Sequence, residues 1–448
     1  MKKLVSLFLA VCCVGALVSG CNKAGNAAPT SSAAQSTAQA GSSAAVNTSK
    51  NIAISVMINS ANWKSDDPWL ALTIDAFEKL YPNVALNVTG YEESEEGKKL
   101  MIMAQSDSLP DIFWTGKQDA RNMAKAGELA DISQYYDSAW KARLLSGALD
   151  QFTFDGKQYG ANRIVSAEMW YYNKALFDKY KLTIPTTWDQ FTSDIKVFKQ
   201  NGITPIAQSA KDNWAQWGYY VIQARYGFFS RIDNILAGKD KFDNPDFISC
   251  FTRLQELKDM GAYPSNISTI TYNQCLDMFD AGKAAMINTG TWDISKMDAS
   301  SNAGNIVMNW GPTFTGSKYP QNISSKVYGT ALYCGKNILK DQDKVNAIIA
   351  YFKYKDSNAG CDIILNQAKC IPCVKLDQFN PDISKLGPVT QKTMTILNDS
   401  VPTIPDEPGV YVTDSSFIDA LWNSFAGVET GTMTPKQAMD ALDTWNAN

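Results

Sequence analysis

Twelve tryptophans are spread along the 448 residues, and several stand beside amide or carboxylate side chains. The clearest cases are Asn62-Trp63-Lys64, Trp114 near Gly116, Asp212-Asn213-Trp214, Trp217, and Trp292-Asp293, with the acids Glu92-Glu93 in a further loop. An indole offers a large, rigid apolar face, and its polar neighbours offer directed hydrogen bonds. That pairing suits a ring with apolar faces and a hydroxyl-rich edge, which describes a sugar. One stacked ring burying about 50 Å² of apolar surface gains roughly 1–1.5 kcal/mol. Two or three such platforms with polar contacts reach micromolar affinity, about −8 kcal/mol.

Other chemistries are poorly supplied. The chain contains no histidine, which removes Ser-His-Asp and Cys-His nucleophile systems and every histidine-bearing zinc site. A glycosidase needs two carboxylates facing each other across the ligand, roughly 5–9 Å apart, and no motif pairs two acids in that way. Cys370-Ile371-Pro372-Cys373 has redox or metal spacing but lacks a second such pair,. Asp240 to Asp246 has calcium-like spacing, but it lacks the turn glycine and contains Pro245, so it reads as a helix start,. No catalytic residue, metal or cofactor is expected. The net charge of −4 shows no basic footprint for nucleic acid,.

Met1-Lys2-Lys3, the apolar run from Leu4 to Val18, and the small residues Ser19-Gly20 form an export leader over residues 1–20,. The run is too short for a permanent span, which takes about 20 apolar residues. Val18-Ser19-Gly20-Cys21 resembles a bacterial lipobox, in which the cysteine is acylated and the chain is cut before it. Residues 21–50 are rich in Ala, Ser, Thr, Gln and Gly and read as a flexible tether,. The expectation is a lipid-anchored protein on the extracytoplasmic face of the cell membrane, with Cys21 as the lipid site. Six further cysteines remain, as disulfides or as buried free thiols.

The elements that must position the tryptophans follow from periodicity. Ile52 to Ile58 is a near-continuous apolar run typical of a buried strand,. Asp67-Pro68 opens a helix with Leu70, Ile74, Phe77 and Leu80 on one face,. Val84 to Val88 reads as a second strand, Lys98 to Ala104 as a helix, and Asp111 to Trp114 as a third strand. This alternation implies an α/β fold with an open, mostly parallel sheet, which binds ligands beyond the carboxyl ends of its strands. Trp63, Glu92 and Trp114 all fall there. Further along, Thr187-x-x-Gln190 and Thr271-x-x-Gln274 are capping-box helix starts,. Trp69, Trp140, Trp188, Trp422 and Trp445 fit helical faces and are read as core.

From Ile52 onward the order of motifs resembles extracellular solute-binding protein family 1, which includes the maltodextrin-binding proteins. The resemblance is carried by Ala76 to Val84, Leu109-Pro110-Asp111-Ile112-Phe113, Ala126 to Ile132, Asp155 to Gly160 with Tyr171 to Phe177, and Phe279-x-x-Gly282-Lys283-Ala284-Ala285-Met286 with Gly290-x-Trp292. It implies a two-lobe periplasmic-binding-protein-like fold of type II, with the ligand cleft between the lobes. Lobe 1 is expected at residues 51–162 plus 312–355, and lobe 2 at 163–311 plus 356–448. The chain is expected to cross near Asn162–Ser166, Trp310–Phe314 and Tyr354–Gly360. The resemblance places ligand aromatics at Trp214 and Trp292 and brings Tyr328 near the cleft. With Trp63, Glu92, Trp114 and Asp293, these form the expected binding set.

The function implied is a monomeric receptor that captures a sugar or oligosaccharide and hands it to the permease subunits of an ABC importer. Two alternatives stay open: a receptor for another solute such as a polyamine, which needs an acid-led cleft, and a surface glycan-active enzyme.

Overall fold

The computed structural model describes residues 46–91, 93–326, 331–412, 414 and 416–447. The leader, Cys21, Glu92 and Tyr328 lie outside the described residues. Ile52–Ile58 (β1) and Val84–Gly90 (β2) pair in parallel along their whole length, and Ile112–Trp114 (β3) joins the other side of β1 in parallel. Helices Pro68–Leu80 and Glu93–Gln105 supply the two crossovers, as the periodicity predicts. A short hairpin, Thr153–Phe154 (β4) and Lys157–Gln158 (β5), leads into Gly160–Asn162 (β6).

A second sheet is built from Glu168–Asn173 (β7), Thr204–Ala207 (β8), Ala284–Gly290 (β9) and Ile306–Asn309 (β10), in the order β10-β7-β9-β8. The last strand, Ala331–Cys334 (β11), returns to the first sheet between β3 and β6 and is antiparallel to both. Every residue of β7 and of β9 is buried, as expected of strands covered on both faces. Met169 and Tyr171 point into one apolar cluster, and Trp170 and Tyr172 into the other. The alternation of the pleat therefore divides one strand between two cores.

The segments between the sheets differ in part from expectation. The first passage, from β6 to β7, falls at Asn162–Ser166 as predicted. Asp67 was expected to cap its helix, but its carboxylate instead accepts the Trp69 indole N–H (2.9 Å) and an ion pair from Arg163 of the passage. Phe314, at the expected second passage, packs on Trp188 and Tyr226 of the second core. Buried Arg225 holds that loop by donating to the carbonyls of Pro312 and Gln321 (both 2.9 Å) and Ile323 (3.2 Å). Pairing with the first sheet resumes only at β11. The third expected passage, Tyr354–Gly360, is a turn within the first core, because Cys361, Ile364, Leu365 and Cys373 pack there. Helix Ser416–Thr430 and helix Pro435–Asn446 pack on the second core.

Local signals held unevenly. Thr271 and Gln274 form the full reciprocal capping box, with bonds of 3.2 and 2.9 Å. Thr187 accepts from the Gln190 amide at 3.4 Å, but the Gln190 side chain reaches Thr186 instead. Residues 240–246 do start a helix: Asn244 caps Pro245–Asp259 while Arg231 grips Asp240 and Asp246. The six cysteines are free thiols, five of them buried and Cys370 half-buried. Among the described residues no group of acids and thiols could hold a metal ion.

Candidate functional site

Two sets of tryptophans separate by packing. Trp69, Trp140, Trp170, Trp188 and Trp310 are buried. Trp214, Trp292 and Trp422 are half-buried and pack against none of the apolar clusters. An indole ordered by polar contacts rather than by a core keeps a face available.

Trp292 follows β9 and folds back over Gly290. A Cβ at Gly290 would sit 2.1 Å from the indole ring, so only glycine permits this approach,. Its indole N–H donates to the Tyr272 hydroxyl (3.1 Å), and its ring meets Trp217 edge-on at 4.4 Å. Trp217 lies 4.8 Å from Trp214, and Trp214 lies 4.5 Å from Tyr272. The four rings close a circuit. Helix Tyr272–Asp280 and the 3-10 turn Asn213–Tyr219 carry the outer members, and the Tyr272 amide donates to Asp212 (2.6 Å).

Asp293, expected to meet a ligand, is turned inward. Its Oδ2 accepts from the hydroxyls of Thr289 (2.5 Å) and Tyr272. Burial raises its pKa, which those hydrogen bonds oppose. Its place is behind Trp292, fixing Tyr272, which in turn fixes the indole.

Opposite Gly290 in the β7–β9 register stands Glu168, 4% exposed, with Oε2 buried and unpartnered. Nearby, Trp422 donates its indole N–H to the Tyr220 hydroxyl (2.6 Å). Burial and the charges of Glu407 and Glu168 push the Tyr220 hydroxyl well above the phenol range. Burial also lifts Glu407 to about 7, aided by Asp406. Lys117 meets Asp406 in an ion pair that is nearly buried on both sides.

From the first sheet, Trp114 ends β3 with its indole nitrogen buried and unpartnered, and Gln118 Nε2 is in the same state. Trp63 packs close to Gly90 at the end of β2, where a Cβ would lie 3.1 Å from the indole and 2.0 Å from the Ser60 carbonyl. The contacts join Trp214, Trp292 and Asp293 into one wall. Trp63, at the start of a short helix, and Trp114, at the end of β3, pack against the first cluster, and Lys117 on that side meets Asp406. Glu92 and Tyr328 lie outside the described residues. Trp422, read as core, is instead a polar-anchored indole, and Tyr272, Glu168, Glu407 and Tyr220 were not foreseen. For Glu168 the overlooked signal is an acid at the head of the apolar run of β7, since a buried charge needs a reason,.

The arrangement supplies flat apolar faces, buried polar atoms without protein partners, and acids held behind them. Among the described residues of this arrangement no exposed nucleophile is hydrogen-bonded to a base that could activate it. The hollow of about 350 Å³ lined by Trp188, Asp246, Arg253 and Lys318 is a different place, where the charges are spent on one another and on Glu256 and Arg231.

The family model for bacterial extracellular solute-binding proteins matches residues 73–361, well over half of the chain. The chain belongs to that family. Proteins of this family work outside the cytoplasm, and among the described residues no helix is long and apolar enough to cross a membrane. This solute-binding protein is 25% identical over 242 residues to the multiple sugar-binding protein of Streptococcus mutans, covering 51% of this chain and 55% of that one. It is 28% identical over 155 residues to a diacetylchitobiose-binding protein of Streptomyces coelicolor, covering 34% and 35%. The aligned stretches thus span about half or less of those relatives. A solved structure from work on xylan utilisation by Caldanaerobius polysaccharolyticus superposes with a TM-score of 0.75 at 25% identity, covering 88% of this chain and all of that one. A chitin oligosaccharide binding protein gives the same TM-score at 20% identity, covering 88% and 98%, and shows the fold alone. The two-lobe α/β fold of periplasmic sugar-binding proteins is therefore the fold of this solute-binding protein.

Proposed function

We propose that this solute-binding protein is the sugar receptor of an ABC importer, binding a mono- or oligosaccharide between its lobes without turnover. The observation that carries the reading is a set of three indoles that join no apolar cluster: hydrogen bonds hold Trp292 and Trp422, and ring contacts with Trp217 and Tyr272 hold Trp214. A sugar ring stacked on such a face gains apolar burial, while its hydroxyls meet the unpartnered Glu168, Gln118 and Trp114 atoms,. The names of its relatives, a multiple sugar-binding protein and a diacetylchitobiose-binding protein, support the same substrate class. Trp63 and Trp114 complete the site from the first lobe. The two sheets mark the lobes, with β1, β2, β3, β6 and β11 in the first and β7 to β10 in the second.

The receptor acts as a monomer, docks on two permease subunits, and is held at the membrane by acylated Cys21. A thermal-shift screen of the mature protein against xylo-, malto- and chito-oligosaccharides, with chromatography of the sugars afterwards, tests the binding claim. A raised melting temperature with unshortened sugar is expected. Shortened products overturn the receptor reading. Cys21→Ala is expected to release the protein from the membrane fraction and to abolish palmitate labelling, and persistent labelling removes the anchor.

A further inference from the structure

Lys117 and Asp406 are held by different sheets. Lys117 opens helix Lys117–Lys125, just past Trp114 at the end of β3. One turn on, the Arg121 guanidinium lies 5.7 Å over the Phe154 ring, which stacks on Tyr333 of β11. Asp406 stands in a loop stitched to the second sheet. The Ser324 amide donates to Pro402 O (2.8 Å) and the Ile404 amide to Ser324 O (2.9 Å). Neighbouring Ser325 is bonded to the Glu168 main chain at the head of β7 (2.7 and 3.2 Å). Across this gap Lys117 Nζ donates to Asp406 Oδ2, and the two side chains are only 10% and 7% exposed. Asp406 Oδ1 accepts from the Glu407 amide (3.0 Å). The helix itself gains nothing from the lysine, because a cation at its first position faces the positive end of the dipole,. Trp114 Nε1 and Gln118 Nε2, both buried and unpartnered, flank Lys117 in sequence.

We propose that Lys117 and Asp406 are positioning residues for binding: their ion pair forms as the lobes close and fixes the register in which the Trp114 side meets the tryptophan wall. The proposal rests on the sugar reading above only for the ligand that drives closure. Taking a charge out of water is expensive, and in a low-dielectric gap only a partner in contact offsets that cost. With the lobes apart, each side chain is free to be hydrated. Closure in register brings the two into contact, whereas closure displaced sideways buries both without partners. The pair therefore works against misaligned closure more than it adds affinity, since the attraction and the desolvation of both groups nearly cancel. It also commits Lys117 to the protein, leaving Gln118 and Trp114 as the polar groups that this edge offers a neutral sugar.

The test is a double-mutant cycle on the mature protein: wild type, Lys117→Met, Asp406→Asn, and both changes together. Met keeps the length of the lysine stem, and Asn can still accept from the Glu407 amide. Isothermal titration uses the tightest binder among the xylo-, malto- and chito-oligosaccharides. Each single variant leaves one charge to be buried alone, so its dissociation constant is expected to rise about tenfold to hundredfold. The double variant buries no charge and is expected to return to within about threefold of wild type. A double variant as weak as Lys117→Met, the result if the lysine contacts the sugar itself, overturns the proposal, as do single variants with wild-type affinity. If no oligosaccharide binds, the sugar reading fails separately, and small-angle scattering of the four unliganded proteins decides the pair. Each single variant is then expected to have a larger radius of gyration than wild type, with the double variant restored. Four equal radii overturn the pair.

Discussion

Truncating Trp292 separates a ligand platform from a core residue. In the unliganded protein the indole makes one edge-on contact with Trp217 and one hydrogen bond to Tyr272. The aromatic contact is worth about 0.5–1.5 kcal/mol and the hydrogen bond a similar amount. Trp292→Ala should therefore cost about 1–3 kcal/mol of folding stability. Trp188 is 5% exposed, packs on Phe191 and Phe314, and donates to Glu256 (3.0 Å). Its truncation should cost about 3–5 kcal/mol. Denaturant unfolding of both variants without ligand gives the ranking, and calorimetry with a bound oligosaccharide gives the second axis. Trp292→Ala should raise the dissociation constant about tenfold to hundredfold, and Trp188→Ala should leave it near wild type. Equal damage to the unliganded fold in the two variants, or unaltered affinity in Trp292→Ala, refutes the reasoning.

Two further outcomes follow from buried titratable groups. Glu429 is buried in the second core, accepts from the Tyr219 hydroxyl (2.6 Å), and is lifted by burial from 4.5 to about 8. The folded state thus holds its proton more tightly than the unfolded chain, so stability from this group is full below about pH 4.5 and is lost as pH rises to about 8. Asp194 and Asp280, each lifted from 3.8 to about 6 by burial, act in the same direction at lower pH. The melting temperature should rise from pH 8 to pH 6, and Glu429→Gln should flatten that rise; a wild type most stable at pH 8 contradicts the sign. Burial pushes the thiols of Cys275, Cys361, Cys370 and Cys373 up to about 12 and raises those of Cys250 and Cys334 further. Titration of the native protein with a disulfide reagent at pH 8 should modify half-buried Cys370 first and slowly, and rapid reaction of two or more of these thiols contradicts the burial.

The first sheet was legible because its signals are local. Strand runs, the Pro at the start of helix Pro68–Leu80, and the capping box at Thr271 each depend on a few neighbouring residues. The two later passages were not, because whether Phe314 or Cys361 belongs to one core or the other is decided by partners far away in sequence. Trp422 shows the same limit within one residue. Its helix spacing is that of a core position, yet the side chain ends on the Tyr220 hydroxyl, which no periodicity announces. The expectation that Trp214 and Trp292 share one site came from a resemblance, which carries long-range information that periodicity lacks; their rings are linked through Trp217 and Tyr272. The carboxylate of Asp293 accepts from Thr289 and Tyr272, a partner choice that adjacency to Trp292 does not announce.

The central claim is that the aromatic wall and acidic floor take a sugar. Isothermal titration of the mature protein at neutral pH, run with xylo-, malto- and chito-oligosaccharides and with spermidine, tests it directly. The account predicts one saturable site for at least one sugar series, with a dissociation constant on the order of micromolar, and no heat from spermidine. Saturable binding of spermidine with no heat from any sugar would contradict it.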